Sequence, residues 1–305
     1  MFRRKRLSGA PALNPDPTGG GWTPAQDLLW ISAAPPRPGA WAALQAQHPS
    51  SGLWPLLLSG LSNREPDRPW LSGELSPKWR KLSAPADHDP AALLAASWAS
   101  CVPEEEDDES DSDRTDRIAI TAPFGAGWPG LAPPSPASFS ADWPGLAPPS
   151  PASPGLAPPS PTSPSAPQAS PAAVSPAERA AEVADFLLGA GWLTAPRLGL
   201  VPGARGADTP TDIGWTGPLN HEQDTAKISA LLRSWEDRFG TRLIGLGFDT
   251  VYLSVAAPPT DVEHALRVAA EHFAFCPDNI WQGAGSLADY AKDLVDQPIW
   301  TFWWD

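Results

Sequence analysis

Hydrophobic and polar positions follow regular periods in two parts of the chain, residues 22–100 and 175–305. In the second part, apolar residues recur at helical spacing between Ile228 and Phe239. This stripe follows a potential N-cap, Asp224, and precedes Gly240, so it predicts an amphipathic helix between those two residues.

The remaining periodic segments predict a mixed α and β order in residues 175–305. Ser175 and Glu178 form the pattern of a capping box, which predicts that a helix begins there. Further helices are predicted at 261–275 and 286–295, and strands at 198–201, 242–248, 251–255 and 300–304. After its first helix this order is typical of a split βαβ, ferredoxin-like sheet with helices on one face.

Residues 22–100 predict a smaller α/β region. Strands are expected at 27–31 and 52–58, and helices at 38–48 and from Asp89 through Trp98. In the last predicted strand of the chain, Trp303 points opposite to its aromatic neighbours, so both faces of that strand carry aromatic residues. We therefore expect an α+β fold in which the N-terminal half packs against the second face of the sheet.

Composition separates these two halves. The chain has 40 prolines among 305 residues, concentrated in the middle, and an acidic run at 104–116. The sequence WPGLAPPSPAS occurs at 128–138 and again at 143–153, and PGLAPPSPTS follows at 154–163. We predict a disordered tail at 1–21 and a disordered linker at 101–174. The repeats act either as a semi-rigid spacer or as a ligand for a domain that binds polyproline II segments.

Charge and cysteine content narrow the class of protein. The net charge of −14 argues against binding to nucleic acid or to an anionic membrane surface. The basic start at Arg3 is not followed by an apolar segment, and no apolar stretch is long enough to span a bilayer. Two cysteines distant in sequence favour reduced thiols, and hence a cytoplasmic protein.

Several short runs carry a family resemblance. They are WEDRFG at 235–240, GLGFDT at 245–250, AEHFAFCPDN at 270–279, WQG at 281–283 and WTFWWD at 300–305. Together they resemble an uncharacterised bacterial family, mainly actinobacterial, that is known as a domain of unknown function. The run SGLWPLLL at 51–58 resembles the region that accompanies this domain. The resemblance implies no activity and no catalytic residue.

His272 and Cys276 are the nearest approach to a catalytic or metal site in the sequence. They are four residues apart on a predicted helix, where an imidazole can activate a thiol. The same pair can supply two ligands to a metal, with Glu271 or Asp278 as further ligands. The competing interpretation is that both side chains are buried packing groups.

A polar loop follows this helix and is the second candidate. Asp278, Asn279, Trp281 and Gln282 can present hydrogen-bonding groups and an aromatic ring to a ligand or a partner protein. The alternative is that they are turn, capping and core residues. No nucleotide-binding or paired-cysteine zinc pattern occurs, so we expect no cofactor. We predict a non-enzymatic protein-binding or regulatory module, of which an immunity-type protein is one form. The alternative is an enzyme or a metal-binding protein that uses His272 and Cys276.

Overall fold

The computed structural model describes residues 7, 10–14, 16–75, 83–101, 118–135 and 174–305. Its strands are β1 Trp22–Ala25, β2 Leu29–Ser32, β3 Leu53–Leu58, β4 Arg197–Pro202, β5 Arg242–Leu246, β6 Thr250–Ser254 and β7 Ile299–Trp303. Its helices are α1 Ala40–Ser51, α2 Pro90–Cys101, α3 Pro176–Gly189, α4 Thr209–Ile213, α5 Thr225–Phe239, α6 Val262–Phe275 and α7 Leu287–Leu294. The predicted α+β class is therefore confirmed.

The described strands form one seven-stranded sheet in the order β1-β2-β4-β3-β5-β6-β7. This order differs from the split βαβ pattern. Strand β3 lies between β4 and β5, antiparallel to the first and parallel to the second. All six residues of β3 are buried, which is typical of a central strand that pairs on both sides. Strands β5, β6 and β7 then follow as an antiparallel meander.

The two halves of the chain are joined within the sheet. We expected the N-terminal half to pack on a face, but it contributes β1, β2 and β3 to the sheet itself. The Trp54 indole N–H also donates to the Leu243 carbonyl oxygen at 3.0 Å. Consecutive residues of β3 and β6 are buried, so both sheet faces are covered rather than one. Helices α1 and α3 pack together, and α2 packs against α5 and α6.

The side chains of strand β7 alternate between the two faces of the sheet, as predicted. Trp300 and Phe302 are buried, as is Trp304 just after the strand, whereas Trp303 is only half-buried. The Trp235 ring of α5 stacks on Phe302 with 5.2 Å between ring centroids. This aromatic packing holds α5 against the last strand and lies beneath α6.

Most helix starts follow the capping residues that the sequence indicated. Ser175 and Glu178 form a complete capping box at α3, and the side chains of Asp224 and Asp261 cap α5 and α6. Strand β1 and helix α4 were not predicted. Both are short, with four and five residues, and their sequences contain proline.

Residues 118–135 pack against this fold, although the composition predicted them as part of the linker. Ile120 and Ala132 belong to the hydrophobic core, and Trp128 and Leu131 pack against it. Residues 7, 10–14 and 16–21 of the predicted tail are described, and Leu7 and Leu13 pack against the core. The rest of the tail, the acidic run and the later repeats lie outside the described residues. None of the helices that the structure describes has the length and apolar character needed to cross a membrane.

Candidate functional site

His272 lies near the end of α6 and is completely buried. Its Nδ1 atom is 3.1 Å from the Tyr290 hydroxyl oxygen, and its ring packs edge-on against Trp300 at 4.5 Å. The Nε2 atom has no hydrogen-bond partner among the described residues. Burial, followed by the positive charge of Arg238, lowers the pKa of His272 well below its usual value. The imidazole is therefore neutral and enclosed by aromatic rings.

Cys276 follows α6 directly and is also completely buried. Its thiol donates a hydrogen bond to the Trp303 carbonyl oxygen at 2.8 Å and lies 3.5 Å from the Asn279 side-chain oxygen. Burial raises the pKa of Cys276 to about 12. A protonated thiol that donates to β7 is a poor nucleophile, because the thiolate is the reactive form.

The candidate metal ligands have other partners. Both carboxylate oxygens of Glu271 accept hydrogen bonds from protein groups, among them the Ala132 amide at 2.6 Å and the Trp235 indole N–H at 2.8 Å. Asp278 accepts from the backbone amide of Asp305 at 3.2 Å. Among the described residues, no cluster of three or more His, Cys, Asp or Glu side chains could hold a metal ion.

The polar loop after α6 divides into an inner and an outer part. The Asn279 amide donates to the Thr301 carbonyl oxygen at 2.6 Å and accepts from the Trp303 backbone N–H at 3.3 Å. Asn279 thus bonds to backbone groups on the edge of β7 that pairs with no other strand in the described part of the chain. Trp281 is 37% exposed and packs edge-on against Phe273, and Gln282 is exposed. Of the four predicted loop residues, only these two face the solvent.

A different site lies on α5 and α6, where the backbone of Ala132 is bound by side chains. The Ala132 N–H donates to Glu271 Oε1 at 2.6 Å, and the Ala132 carbonyl oxygen accepts from Arg238 at 2.8 Å. Both polar groups of one residue are therefore held by an oppositely charged pair. Glu271 is fully buried and Arg238 is nearly so.

The carboxylate of Glu271 is the centre of this network. Arg238 donates to both of its oxygens, at 2.7 and 2.6 Å, in the bidentate geometry that favours a guanidinium. The Trp235 indole N–H donates to Oε2 at 2.8 Å. A buried carboxylate is stable only when it is paired and hydrogen-bonded in this way.

Further contacts fix the segment on either side of Ala132. The His264 ring N–H at Nε2 donates to the Pro133 carbonyl oxygen at 2.8 Å. The Ser135 hydroxyl donates to the Pro258 carbonyl oxygen at 3.1 Å. On the other side, the Trp128 ring lies 5.7 Å from Trp98 of α2. We call residues Trp128–Ser135 the docked segment, and Trp98, Arg238, His264 and Glu271 the docking site.

One serine–histidine–aspartate contact also occurs, near the start of α5. The Ser83 hydroxyl is hydrogen-bonded to Asp224 and lies against His88 Nε2. Because the single Ser83 hydroxyl proton goes to Asp224, Ser83 can only accept from an N–H at His88 Nε2, so that nitrogen does not act as a base toward the serine. Asp224 also caps α5 through its other oxygen. This cluster anchors residues 83–88 rather than activating a nucleophile.

Comparison with known proteins gives a match in one region of the chain. Residues 197–305 match the family model described as "Domain of unknown function (DUF4253)". The predicted resemblance to a domain-of-unknown-function family is thereby confirmed. The match begins at β4 and covers α5, α6 and β7, and so includes three of the four docking-site residues. Neither the curated proteins nor the solved structures gave a match to the chain.

Only indirect signs of the docking site are present in the sequence. Arg238 and Glu271 lie within the runs that carry the family resemblance, but only Glu271 was considered as a ligand, and then for a metal. Their partner, Ala132, lies more than a hundred residues earlier in a proline-rich stretch that resembles a spacer. A charged residue on the apolar face of each of two adjacent helices was the one available signal.

Proposed function

We propose that this protein is a non-enzymatic protein-binding module whose docking site takes an extended, proline-rich peptide. The observation that supports this most directly is the recognition of Ala132. Its N–H and its carbonyl oxygen are both bound by a buried ion pair. Such contacts recognise a peptide backbone in an extended form, independently of the side chain at that position.

Selectivity would come from the residues around this position. Trp128 supplies a large ring against Trp98, and aromatic residues are frequent anchors of protein interfaces. Proline at 133 has no N–H to satisfy and favours the extended backbone at Ala132. His264 then binds the Pro133 carbonyl oxygen, and Pro258 accepts from the Ser135 hydroxyl. A Trp-Pro-Gly-Leu-Ala-Pro-Pro-Ser sequence is therefore the peptide chemistry that we assign to the site.

The alternative, an enzyme or metal-binding protein that uses His272 and Cys276, has less support. The imidazole is neutral and the thiol donates to a backbone carbonyl. The docking site instead places its charged groups against a peptide. An immunity-type protein is one narrower form of the proposal, since a net charge of −14 favours a basic partner surface. We further propose a cytoplasmic location, which the two free, buried cysteines support.

The test uses a full-length chain in which residues 128–163 are replaced by a Gly/Ser segment of equal length, so that the docking site is open. Calorimetric titration with the peptide WPGLAPPSP should give binding. A control peptide with proline at the Ala132 position keeps the extended shape but has no N–H for Glu271. It should bind at least roughly tenfold more weakly, because a hydrogen bond to a charged group is lost.

Equal binding of the two peptides, or no binding to a folded variant, would contradict the proposal. Circular dichroism establishes whether the variant is folded. If it is not, amide hydrogen exchange provides the second measurement, in a chain that carries Ala147→Pro and so lacks the corresponding N–H of the second copy of this sequence. The Ala132 amide should then exchange far more slowly than the amides of exposed loop residues, and equally fast exchange would also count against the site.

A further inference from the structure

The sequence of the docked segment is repeated in full within the same chain. Residues 143–153 repeat residues 128–138 without a single difference. Each residue of the docked segment that makes one of the contacts described above therefore has a counterpart: Trp143 for Trp128, Ala147 for Ala132, Pro148 for Pro133 and Ser150 for Ser135.

We infer that Trp143–Ser150 is a second ligand of the docking site and exchanges there with Trp128–Ser135. The inference rests on the proposed function, because it assumes that the docking site recognises this peptide sequence wherever it occurs. A site that binds through backbone groups and one aromatic anchor has no basis for distinguishing two identical segments. One docking site and two equivalent ligands then share a single chain.

The length of the chain permits the exchange. With Trp143–Ser150 docked, the stretch from Pro151 to Val174 must return to α3, and fully extended it reaches up to roughly 80 Å. A folded unit of this size has a radius of gyration of only about 17 Å. The stretch before the docked segment lengthens while the stretch after it shortens, so the loop-closure entropies of the two states partly offset each other. Both states should therefore be populated.

The third repeat provides an internal control. Residues 154–163 contain Ala157 and the prolines around it, but Ser153 stands where the other two copies have tryptophan. This copy has no ring to place against Trp98. It should therefore compete poorly with the two complete copies.

The test compares Ala132→Pro, Ala147→Pro and the double variant in the full-length chain. Each substitution removes the N–H that Glu271 would accept from, and proline fits because a residue that precedes a proline is already extended. Each single variant should shift the thermal midpoint by no more than about 1 °C, since a second ligand remains. The double variant should lose roughly 5 °C, because neither complete copy can donate to the buried carboxylate. Ala157→Pro is the matched control and should have no effect.

Three outcomes separate the inference from the proposed function. If Ala132→Pro alone lowers the midpoint as far as the double variant, the second copy does not dock, and the inference is overturned while the proposed function stands. If the double variant matches the unaltered chain, the docking site recognises neither copy, and both fail. The expected pattern of silent single variants and an affected double variant supports both.

Amide hydrogen exchange gives an independent measurement. In the Ala132→Pro chain, the Ala147 amide should exchange at least roughly tenfold more slowly than the Ala157 amide. Equal exchange rates at these two positions would overturn the inference, whatever the thermal midpoints are.

Discussion

The loop at Asp278–Gln282 and the docked segment at Trp128–Ser135 reverse the roles that their sequences suggest. The loop concentrates carboxylate, amide and aromatic side chains, yet Asn279 satisfies the backbone of β7 and Asp278 that of Asp305. The docked segment contains no charged residue, yet it is held by an ion pair. Polar side chains thus stabilise the fold in one region and hold a peptide in the other.

The difference lies in where the partner of each polar group is found. In the loop, the side chains bond to the backbone of β7 and of Asp305 just after it, which are fixed parts of the fold. In the docked segment, the backbone is the partner, and a substitute peptide can supply the same groups. Buried polar side chains therefore indicate a binding site only when the group that they contact is replaceable.

The largest expected effect is at Glu271, and it tests whether a buried ion pair holds the docked segment. Glu271→Ala leaves Arg238 buried without its partner, so the free energy of unfolding should fall by about 3–5 kcal/mol. Urea denaturation measures this change. Glu182→Ala, which breaks an exposed pair with Arg179, is the control and should cost less than about 1 kcal/mol. A loss at Glu271 no greater than the control would mean that the network does not hold the segment.

The next effect tests the structural role of the loop. Asn279→Ala removes two hydrogen bonds to β7, so the free energy of unfolding should fall by about 2 kcal/mol. Gln282→Ala, at an exposed position of the same loop, should change it by less than about 0.5 kcal/mol. If both variants are equally stable in denaturant titrations, the loop is not a structural clamp, and the distinction between the two regions weakens.

A somewhat smaller effect concerns acid stability and His272. The pKa of His272 in the folded protein is lower than the value of 6.5 for a free side chain, so the unfolded chain binds the proton more readily. Its stabilising contribution is complete above pH 6.5 and is lost as the pH falls below that value. Between pH 7 and pH 5.5 the loss should be at most about 1.3 kcal/mol, the limit reached when the folded protein binds no proton at His272. His272→Phe should remove this part of the pH dependence, and an unchanged dependence would show that the imidazole is not held neutral.

The smallest effect concerns alkaline stability and Cys276. Its pKa is raised from 9.0 to about 12, so the folded protein keeps the proton that the unfolded chain releases. The stabilising contribution is complete below pH 9 and is lost as the pH rises toward 12. Between pH 9 and pH 10 the loss should be about 1 kcal/mol. Cys276→Ser keeps a donor to Trp303 but does not titrate, so its unfolding curves should lack this loss. A thiol reagent that labels Cys276 in the folded chain would also contradict the assignment.

The helices were largely predictable because local residues determine them. Ser175, Asp224 and Asp261 cap the helices that the sequence indicated, and the aromatic alternation in β7 gave the correct buried face. The position of β3 could not be predicted in the same way. Six apolar residues indicate a central strand, but they carry no information about which distant strands will pair with it.

The docking site was unpredictable for a related reason. The composition of residues 128–135 is that of a spacer, and a spacer and an extended peptide ligand have the same local preferences. Ala132 binds because Arg238 and Glu271 are brought together by α5 and α6, which depends on the tertiary fold. His272 and Cys276 were predicted as a pair on one helix, whereas α6 ends at Phe275, directly before Cys276, and only the burial of both side chains distinguishes packing from chemistry.

The central position of β3 has a consequence for biosynthesis. Leu57 pairs with Leu198 of β4 and Gly245 of β5, residues that the ribosome adds much later. At typical elongation rates the strand waits roughly 10–40 s before both of its neighbours exist. During that time the nascent chain carries the apolar run LWPLLL with both strand edges unpaired. We therefore expect the growing polypeptide to depend on chaperones until β5 has emerged.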